Sequence, residues 1–415
     1  MSAEHLRTAR AALSRLFEPS DAVGLALVAA AGPEHALRVA TGSAAASAGL
    51  AAETARVLSS FGMTGKPHAL AEGIKRWAAR VSDLAPERDL DTIARLGGEL
   101  LIPEDPRWPE SLQDLELAAP LCLWGRGDLS QGLPAVQRTV AVVGSRDATG
   151  YGLSVTGHLS AGLAGRGYTV VSGGAYGIDA QAHRAALASA FPGSSGSFPA
   201  TIAVMACGPD RFYPAGNEEL LRAVTTHGLL LSEVPPGSAP TRWRFLQRNR
   251  IIAALSSVTV VVEARWRSGA LNTAHHAAGL GRSVGAVPGS VYSANSAGCH
   301  RLLRDGSAVC VTDAQEVAEL AGPLTVGEAE VGVGPGSTRD TGEPGPQEGK
   351  ADHDGLPVED LLLLDALPVR STTTMEKLAS VAGLSAAGVR AGLARLELEG
   401  LAIRAGPDQW RRGRR

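Results

Sequence analysis

Apolar residues in the middle of the chain fall into short runs of strand type separated by stretches with helical spacing. Residues 140–143 (VAVV) are one such run, and it stops at Gly144, as a parallel strand buried on both faces does at its carboxyl end. Leu153, Leu159 and Leu163 then follow a helical period that Gly165 and Gly167 close. Residues 168–171 return to the strand pattern and end at Ser172-Gly173-Gly174. Strand, glycine turn, helix and strand make a unit whose crossover is almost always right-handed. Further strand-like runs at 201–206, 229–234, 258–263, 283–287 and 308–311 alternate with helical patterns. Seven mostly parallel strands predict an α/β fold, an extended Rossmann-like, doubly wound domain over 83–323.

Either side of it the pattern changes. Residues 1–82 read as a module of short helices, with Leu6, Leu13, Leu16 and Phe17 on one apolar face and Glu18-Pro19-Ser20 ending that helix. The Ala-Gly-Pro turn inside VGLALVAAAGPEHALRVA joins paired helices, as a SAM-like packing module or a helix-hairpin-helix would. Proline-rich 84–129 reads as one strand and turns buttressing the main sheet. Residues 324–356 are rich in Gly, Pro and acidic residues and read as a flexible linker. Three helical patterns and a hairpin, LAIRAGPDQWRR, then predict a winged helix over 357–415, with Leu384-Ser385 capping its third helix. That helix exposes only Arg390 and Arg395 beside Glu397 and Glu399, too little for sequence readout. The basic tail, Arg411, Arg412, Arg414 and Arg415, serves either non-specific phosphate contact or protein contact.

The chemistry gathers where the strands end. A glycine turn leading into a helix offers backbone amides and the positive end of the helix dipole to an anion. Here the turn is Gly144-Ser145-Arg146, which adds a hydroxyl and a guanidinium fork. The loop GSRDATGYG is not a dinucleotide fingerprint, and the second strand closes on Ser172-Gly173-Gly174 without the acidic residue that would hold a ribose. In a parallel sheet the other carboxyl ends share this edge: Gly208-Pro209-Asp210, Tyr213-Pro214, Glu233, Glu263, Ser268-Gly269. With Arg248-Asn249-Arg250 they predict a basic groove, and Phe212, Tyr213 and Trp266 are near enough in sequence to stack on bases, which suits a single strand. Arg248 and Arg250 have an alternative, ion pairing with Glu233 or Glu263. Asp179 and His183, four apart, form either an acid/base pair or a helix-face contact.

A net charge of −3 gives no global field toward nucleic acid, so any such site is local. Cys122, Cys207, Cys299 and Cys310 lie far apart without metal-ligand spacing and read as core residues of a reducing compartment. Glu4, Arg7 and Arg10 interrupt any leader-like apolar run, and no stretch is apolar enough to span a membrane, so a cytoplasmic location is expected. A G-x-S-x-G elbow and a G-x-x-x-x-G-K-[ST] loop are both missing, so the expectation is no enzyme, no cofactor and no metal.

The ordered motifs VVGSRDATGYG, SGGAYGIDAQAHRAAL, ACGPDRFYPAGN, SEVPPG, RNRIIAALS, VVEARWRSGALNTA and AVPG, over roughly 100–315, resemble the DNA processing protein A (DprA/Smf) family. The resemblance implies a Rossmann-like domain that binds single-stranded DNA, self-associates as a homodimer and loads the RecA recombinase during natural transformation. It also places the Gly144-Ser145-Arg146 turn in the DNA-binding pocket. Together the two readings nominate Gly144, Ser145, Arg146, Gly173, Arg211, Tyr213, Arg248, Asn249, Arg250, Ser268 and Gly269 for DNA binding. The chain departs from the family pattern at Tyr176, Ala215 and His300; Ala215 stands where many members have Lys, a phosphate contact that is either lost or replaced by Arg211. The competing reading is a nucleoside monophosphate-processing enzyme of the lysine-decarboxylase-like Rossmann group. At the comparable place SGALNTAHH lacks that group's glycine pair and glutamate.

Overall fold

A computed structural model describes residues 3–63, 68–189, 198–322, 360, 363–364, 366–368, 372–382, 386–406 and 408–413. Six helices open the chain: α1 (Ala3–Leu16), α2 (Ala22–Ala31), α3 (Pro33–Ala40), α4 (Ala48–Ser60), α5 (Ala69–Val81) and α6 (Pro86–Arg95). Nine strands form one sheet: β1 (Gly98–Leu101), β2 (Leu123–Gly127), β3 (Thr139–Val143), β4 (Thr169–Gly173), β5 (Thr201–Met205), β6 (Leu229–Ser232), β7 (Val258–Val261), β8 (Ser283–Ala286) and β9 (Val309–Cys310). Their spatial order is 1-2-6-5-4-3-7-8-9, with β3 to β9 parallel and β2 antiparallel to both its neighbours. The fold is the expected mostly parallel, doubly wound α/β sheet, with its crossovers made by α7 (Gly150–Gly165), α8 (Ile178–Ser189), α9 (Glu218–His227), α10 (Arg242–Ala254), α11 (Gly269–Gly279) and α12 (Ala297–Arg304) and α13 (Ala314–Ala321) following β9.

The alternation of side chains along β3 explains why both of its faces must be apolar. Val140 and Val142 join Leu159, Leu163, Ile178 and Val317 in one core, while Ala141 and Val143 join Ile251, Ile252 and Leu271 in the other. Each fully buried Val or Leu contributes about 1.5–3 kcal/mol, so a polar residue in this run would be costly twice over. Two strands, not the single one expected, occupy the 84–129 segment. Their glycines mask them: Gly98 stands opposite Arg126, one place along from Gly125, and a Cβ on Gly98 would strike the Gly125 carbonyl oxygen.

The N-terminal helices pack around α2, whose AVGLALVAAA is apolar nearly all round because α3, α4, α5 and the turn Glu110–Ala118 pack against it and Phe17, just after α1, lies over Gly24. Phe17 and Trp77 meet there at 4.4 Å between ring centroids, and Gly24 leaves room for the Phe17 ring. Ala11 and Ile93 carry this module onto Leu100, Ile102 and Trp124 at the antiparallel edge of the sheet. Of the cysteines, Cys122, Cys207 and Cys299 are buried, their thiols pushed up to about 12 by burial; Cys310, expected in the core, is exposed on the edge strand β9.

Toward the C-terminus, α14 (Met375–Ala382), α15 (Ala386–Leu398) and the antiparallel hairpin β10 (Ala402–Gly406) and β11 (Gln409–Arg412) share a core of Leu364, Leu378, Val389, Leu393 and Trp410. Arg395 is exposed, as expected, but its guanidinium is held in a two-point ion pair with buried Asp360 at 2.6 Å. The predicted linker, the Leu384-Ser385 cap, Arg414 and Arg415 lie outside the described residues. Among the described residues no helix is long and apolar enough to cross a membrane.

Candidate nucleic-acid interface

After β3 the chain runs outward through β4, β5 and β6, then returns to place β7 on the other side of β3. Ligands of open α/β sheets bind where the strand order reverses in this way. A cleft of about 480 Å³ opens at this β3–β7 switch point. Gly144, Ser145, Arg146, Arg248, Asn249, Ser268 and Gly269, all singled out from the sequence, line it, together with Asp147, Asp179, Arg242, Phe245, Leu246, Arg265 and Arg267.

The turn after β3 is set by packing. A Cβ on Gly144 would strike the Ile178 side chain and the Glu263 carbonyl oxygen, so only glycine lets α8 and β7 close on the strand. Ile178 N–H donates to the Ser145 carbonyl at 3.1 Å, which ties the turn to α8. Ser145 is in the cleft, but its hydroxyl donates to Asp147 Oδ1 at 2.6 Å rather than standing free to orient a phosphate. Asp147 is in turn paired with Arg265, and its carbonyl accepts from Asn295 Nδ2 at 2.8 Å.

The amino end of α7 does not offer an open anion site, contrary to the expectation from the glycine turn. The carboxylate of Glu263 is already there, accepting from Thr149 N–H at 2.9 Å and from Thr149 Oγ1 at 2.6 Å. Thr149 in turn caps the helix by accepting from Gly152 N–H at 3.1 Å. Negative charge at this dipole end is thus supplied from within. What remains for an external anion is guanidinium.

Five arginines line the cleft against two carboxylates. Among the described residues Arg146, Arg242, Arg248 and Arg267 form no ion pair. Arg146 lies over the Phe245 ring, 4.9 Å from its centroid, which fixes the guanidinium plane while leaving its N–H groups to solvent or ligand. Arg248 is only 6% exposed, donates through Nη1 to the Val204 carbonyl, and has its Nε buried with no hydrogen-bond partner among the described residues. Burial lowers its pKa to about 10, against attraction from Asp179, so it is still a cation at neutral pH. Burial also raises the Asp179 carboxyl, opposed by Arg248 and Arg146.

Four nominated residues stand elsewhere. Arg250 is 2% exposed and doubly bonded to Glu233 at 2.6 and 2.9 Å, so it is the structural ion pair named as its alternative. Tyr213 is buried with Met205, Leu221 and Leu230 and meets Phe245 at 5.8 Å, with no face left for a base. Arg211 is exposed outside the cleft lining. Gly173 lies beneath it, where a Cβ would collide with the Arg248 guanidinium; its contribution is to let Arg248 pass. Asn249 Nδ2 bridges to the Gly269 carbonyl at 3.3 Å and Asn272 Oδ1 at 3.1 Å, joining α10 to the start of α11. His183 is buried, with Nε2 donating to the Gly173 carbonyl at 2.8 Å and Nδ1 2.7 Å from Thr201 Oγ1. Desolvation holds it down to about 4, so it is a neutral strut rather than half of an acid/base pair. Phe212 sits between Arg126 and Arg222, and Trp266 is half-exposed under Arg301.

Sequence reasoning missed Arg242, Phe245, Arg265 and Arg267. The first two had a signal: Thr241 caps α10 by accepting from Arg244 N–H at 3.2 Å, which makes Arg242, Phe245, Leu246 and Asn249 one helical face at i, i+3, i+4 and i+7.

A family model for DNA recombination-mediator protein A matches residues 99–322. Over 406 residues the chain is 41% identical to the putative DNA processing protein DprA of Mycobacterium tuberculosis, covering 94% of this chain and 90% of that one. It is 39% identical over 214 residues to the DNA processing protein DprA of Streptococcus pneumoniae, covering 51% and 71%. The X-ray structure of DprA from Streptococcus pneumoniae superposes with a TM-score of 0.57 at 28% identity, covering 77% of this chain and 98% of that chain.

Proposed function

The chain belongs to the DNA recombination-mediator protein A family, and we propose that it holds single-stranded DNA in the cleft at the β3–β7 switch point and passes it to the RecA recombinase. The observation that carries this reading is the set of unpaired guanidinium groups, Arg146, Arg242, Arg248 and Arg267, around an aromatic ring in one cleft. Phosphates would lie on Arg146, with Arg242 and Arg267 at the two lips and the buried Arg248 adding its charge from beneath. Phe245 holds Arg146 in plane, so little side-chain entropy is lost on binding. A strand with unstacked bases fits a recess of this size more readily than a duplex, whose bases are turned inward. In this reading the protein is a cytoplasmic mediator that self-associates and protects the strand until transfer, acting by binding and not by bond chemistry.

The test is a salt-resolved anisotropy titration with single- and double-stranded oligonucleotides of equal length. The expected outcome is preference for the single strand and a linear fall of log affinity with log salt, of about 0.7 per phosphate neutralised. Equal binding of both forms, or release of free base from a nucleoside monophosphate, counts against it. RecA transfer is tested separately, by whether the protein speeds RecA filament growth on a strand already covered by a single-strand-binding protein.

A further inference from the structure

A second cavity, of about 360 Å³, opens where the N-terminal helices meet α10, and none of its lining residues belongs to the cleft. One wall is Trp243, half-exposed and next in sequence to the cleft residue Arg242. Its Nε1–H donates to the Pro19 carbonyl at 3.1 Å, which anchors the edge of the indole and leaves ring surface open to solvent. Facing it are Ser20 and Asp21, from the turn between α1 and α2, and Arg76 on α5. Ser20 holds a φ of 61°, a left-handed conformation rare for a residue with a side chain, and its hydroxyl is buried with no hydrogen-bond partner among the described residues.

The charges in this recess are already matched. Glu18 is bonded to Arg80 at 2.7 Å and to Arg244 at 2.9 Å, and Asp21 to Arg76 at 2.9 Å and Trp77 Nε1 at 2.8 Å. A recess with an exposed indole, an orphan hydroxyl and no free charge suits a nucleobase, whereas the unpaired guanidinium groups next door suit its phosphates. We propose that this recess receives a base of the same strand that lies in the cleft, stacked on Trp243, with the Ser20 hydroxyl turning out of its burial to meet the base edge and Arg242 carrying the phosphate between the two sites. The inference rests on the single-strand reading of the cleft. It makes the N-terminal helical module part of the DNA-binding surface and lengthens the bound site beyond the sheet domain.

Abasic scanning on the full chain tests it. The substrate is the shortest oligonucleotide that reaches full affinity, so that the strand has one register, with a single abasic position moved along it. In the wild-type protein an abasic position beyond the stretch held by the cleft is expected to lower affinity about tenfold, the effect of losing one stacked base. Trp243→Ala abolishes that position's effect and weakens the intact oligonucleotide by the same factor, while Trp243→Phe retains most of both. Arg146→Ala weakens every oligonucleotide but keeps the position effect. The inference is overturned if all positions outside the cleft are silent in the wild type, or if Trp243→Ala leaves the penalty in place. Binding that is tight but has no such position removes this inference alone; no binding of any single strand removes the cleft reading with it.

Discussion

Arg248 shows how a single side chain can be costly to the fold and useful to the site. Its guanidinium is buried, bonded on one side to the Val204 carbonyl and orphaned at Nε, an arrangement destabilising in itself. It is possible only because Gly173 has no Cβ. Gly173→Ala is therefore expected to displace Arg248, lowering single-strand affinity at least tenfold and stability by about 1–3 kcal/mol, read from anisotropy and denaturant titrations on one sample. Arg146 has no structural partner beyond the Phe245 ring, so Arg146→Ala should separate the two effects. Affinity and its salt slope fall, and the unfolding midpoint stays within the small range of surface substitutions. His183 gives a prediction in pH. Its folded pKa, about 4, lies below the unfolded value of 6.5, so the unfolded chain binds the proton more readily. Its contribution is present in full above pH 6.5 and is lost as pH falls toward 4, on the order of 3 kcal/mol in all. Asp179, raised by burial, acts in the opposite direction at the acid end. A His183→Gln variant, which keeps a hydrogen-bonding side chain without a titrating one, should show a flatter stability profile between pH 6.5 and 4 than the wild type.

At the scale of elements, what could be read from the sequence depended on whether the signal was local. The six runs from β3 to β8 were legible because burial on both faces demands unbroken apolar residues, a constraint written into consecutive positions, whereas β9, exposed at the sheet edge, was legible only as the next step of the strand and helix alternation. Strands β1 and β2 were not, since Gly98 and Gly125 are set by close approach of the Gly125 carbonyl and the Leu129 side chain, and along the chain they look like turn residues. The cleft was legible as a place, because strand ends converge by topology, but not in its charge balance. Arg250 and Glu233 stand 17 residues apart, a pairing the sequence offered only as one alternative among several, and Glu263 and Thr149 stand 114 apart, with nothing near either to announce the other. The second of these pairs decides how α7 works. Glu263→Ala removes two hydrogen bonds at the cap and leaves a part-buried amide without its acceptor, for a loss of about 1–3 kcal/mol. It also vacates the dipole end. Inorganic phosphate should then raise the melting temperature of the variant by more than that of the wild type, and an equal shift in both would mean that Glu263 is not the anion of this helix.

Over the whole molecule the charges nearly cancel, to −3, while the cleft concentrates arginine. These two facts pull differently on the kinetics of binding. A protein of net negative charge does not draw a polyanion from a distance, so encounter should proceed at the unassisted rate of roughly 10⁵–10⁶ M⁻¹s⁻¹ and change little with salt. Once the strand is seated, each phosphate on an unpaired guanidinium has displaced a counterion, and that exchange is reversed only on dissociation. Stopped-flow measurement across a salt series should therefore place most of the salt dependence in koff. Arg242→Ala and Arg267→Ala, at the lips of the cleft, should each raise koff and lower the salt slope by about 0.7, leaving kon within a factor of about two. A kon that falls steeply with salt would instead mean that a basic surface outside the cleft, such as the face carrying Arg411 and Arg412, makes first contact and that the cleft receives the strand from it.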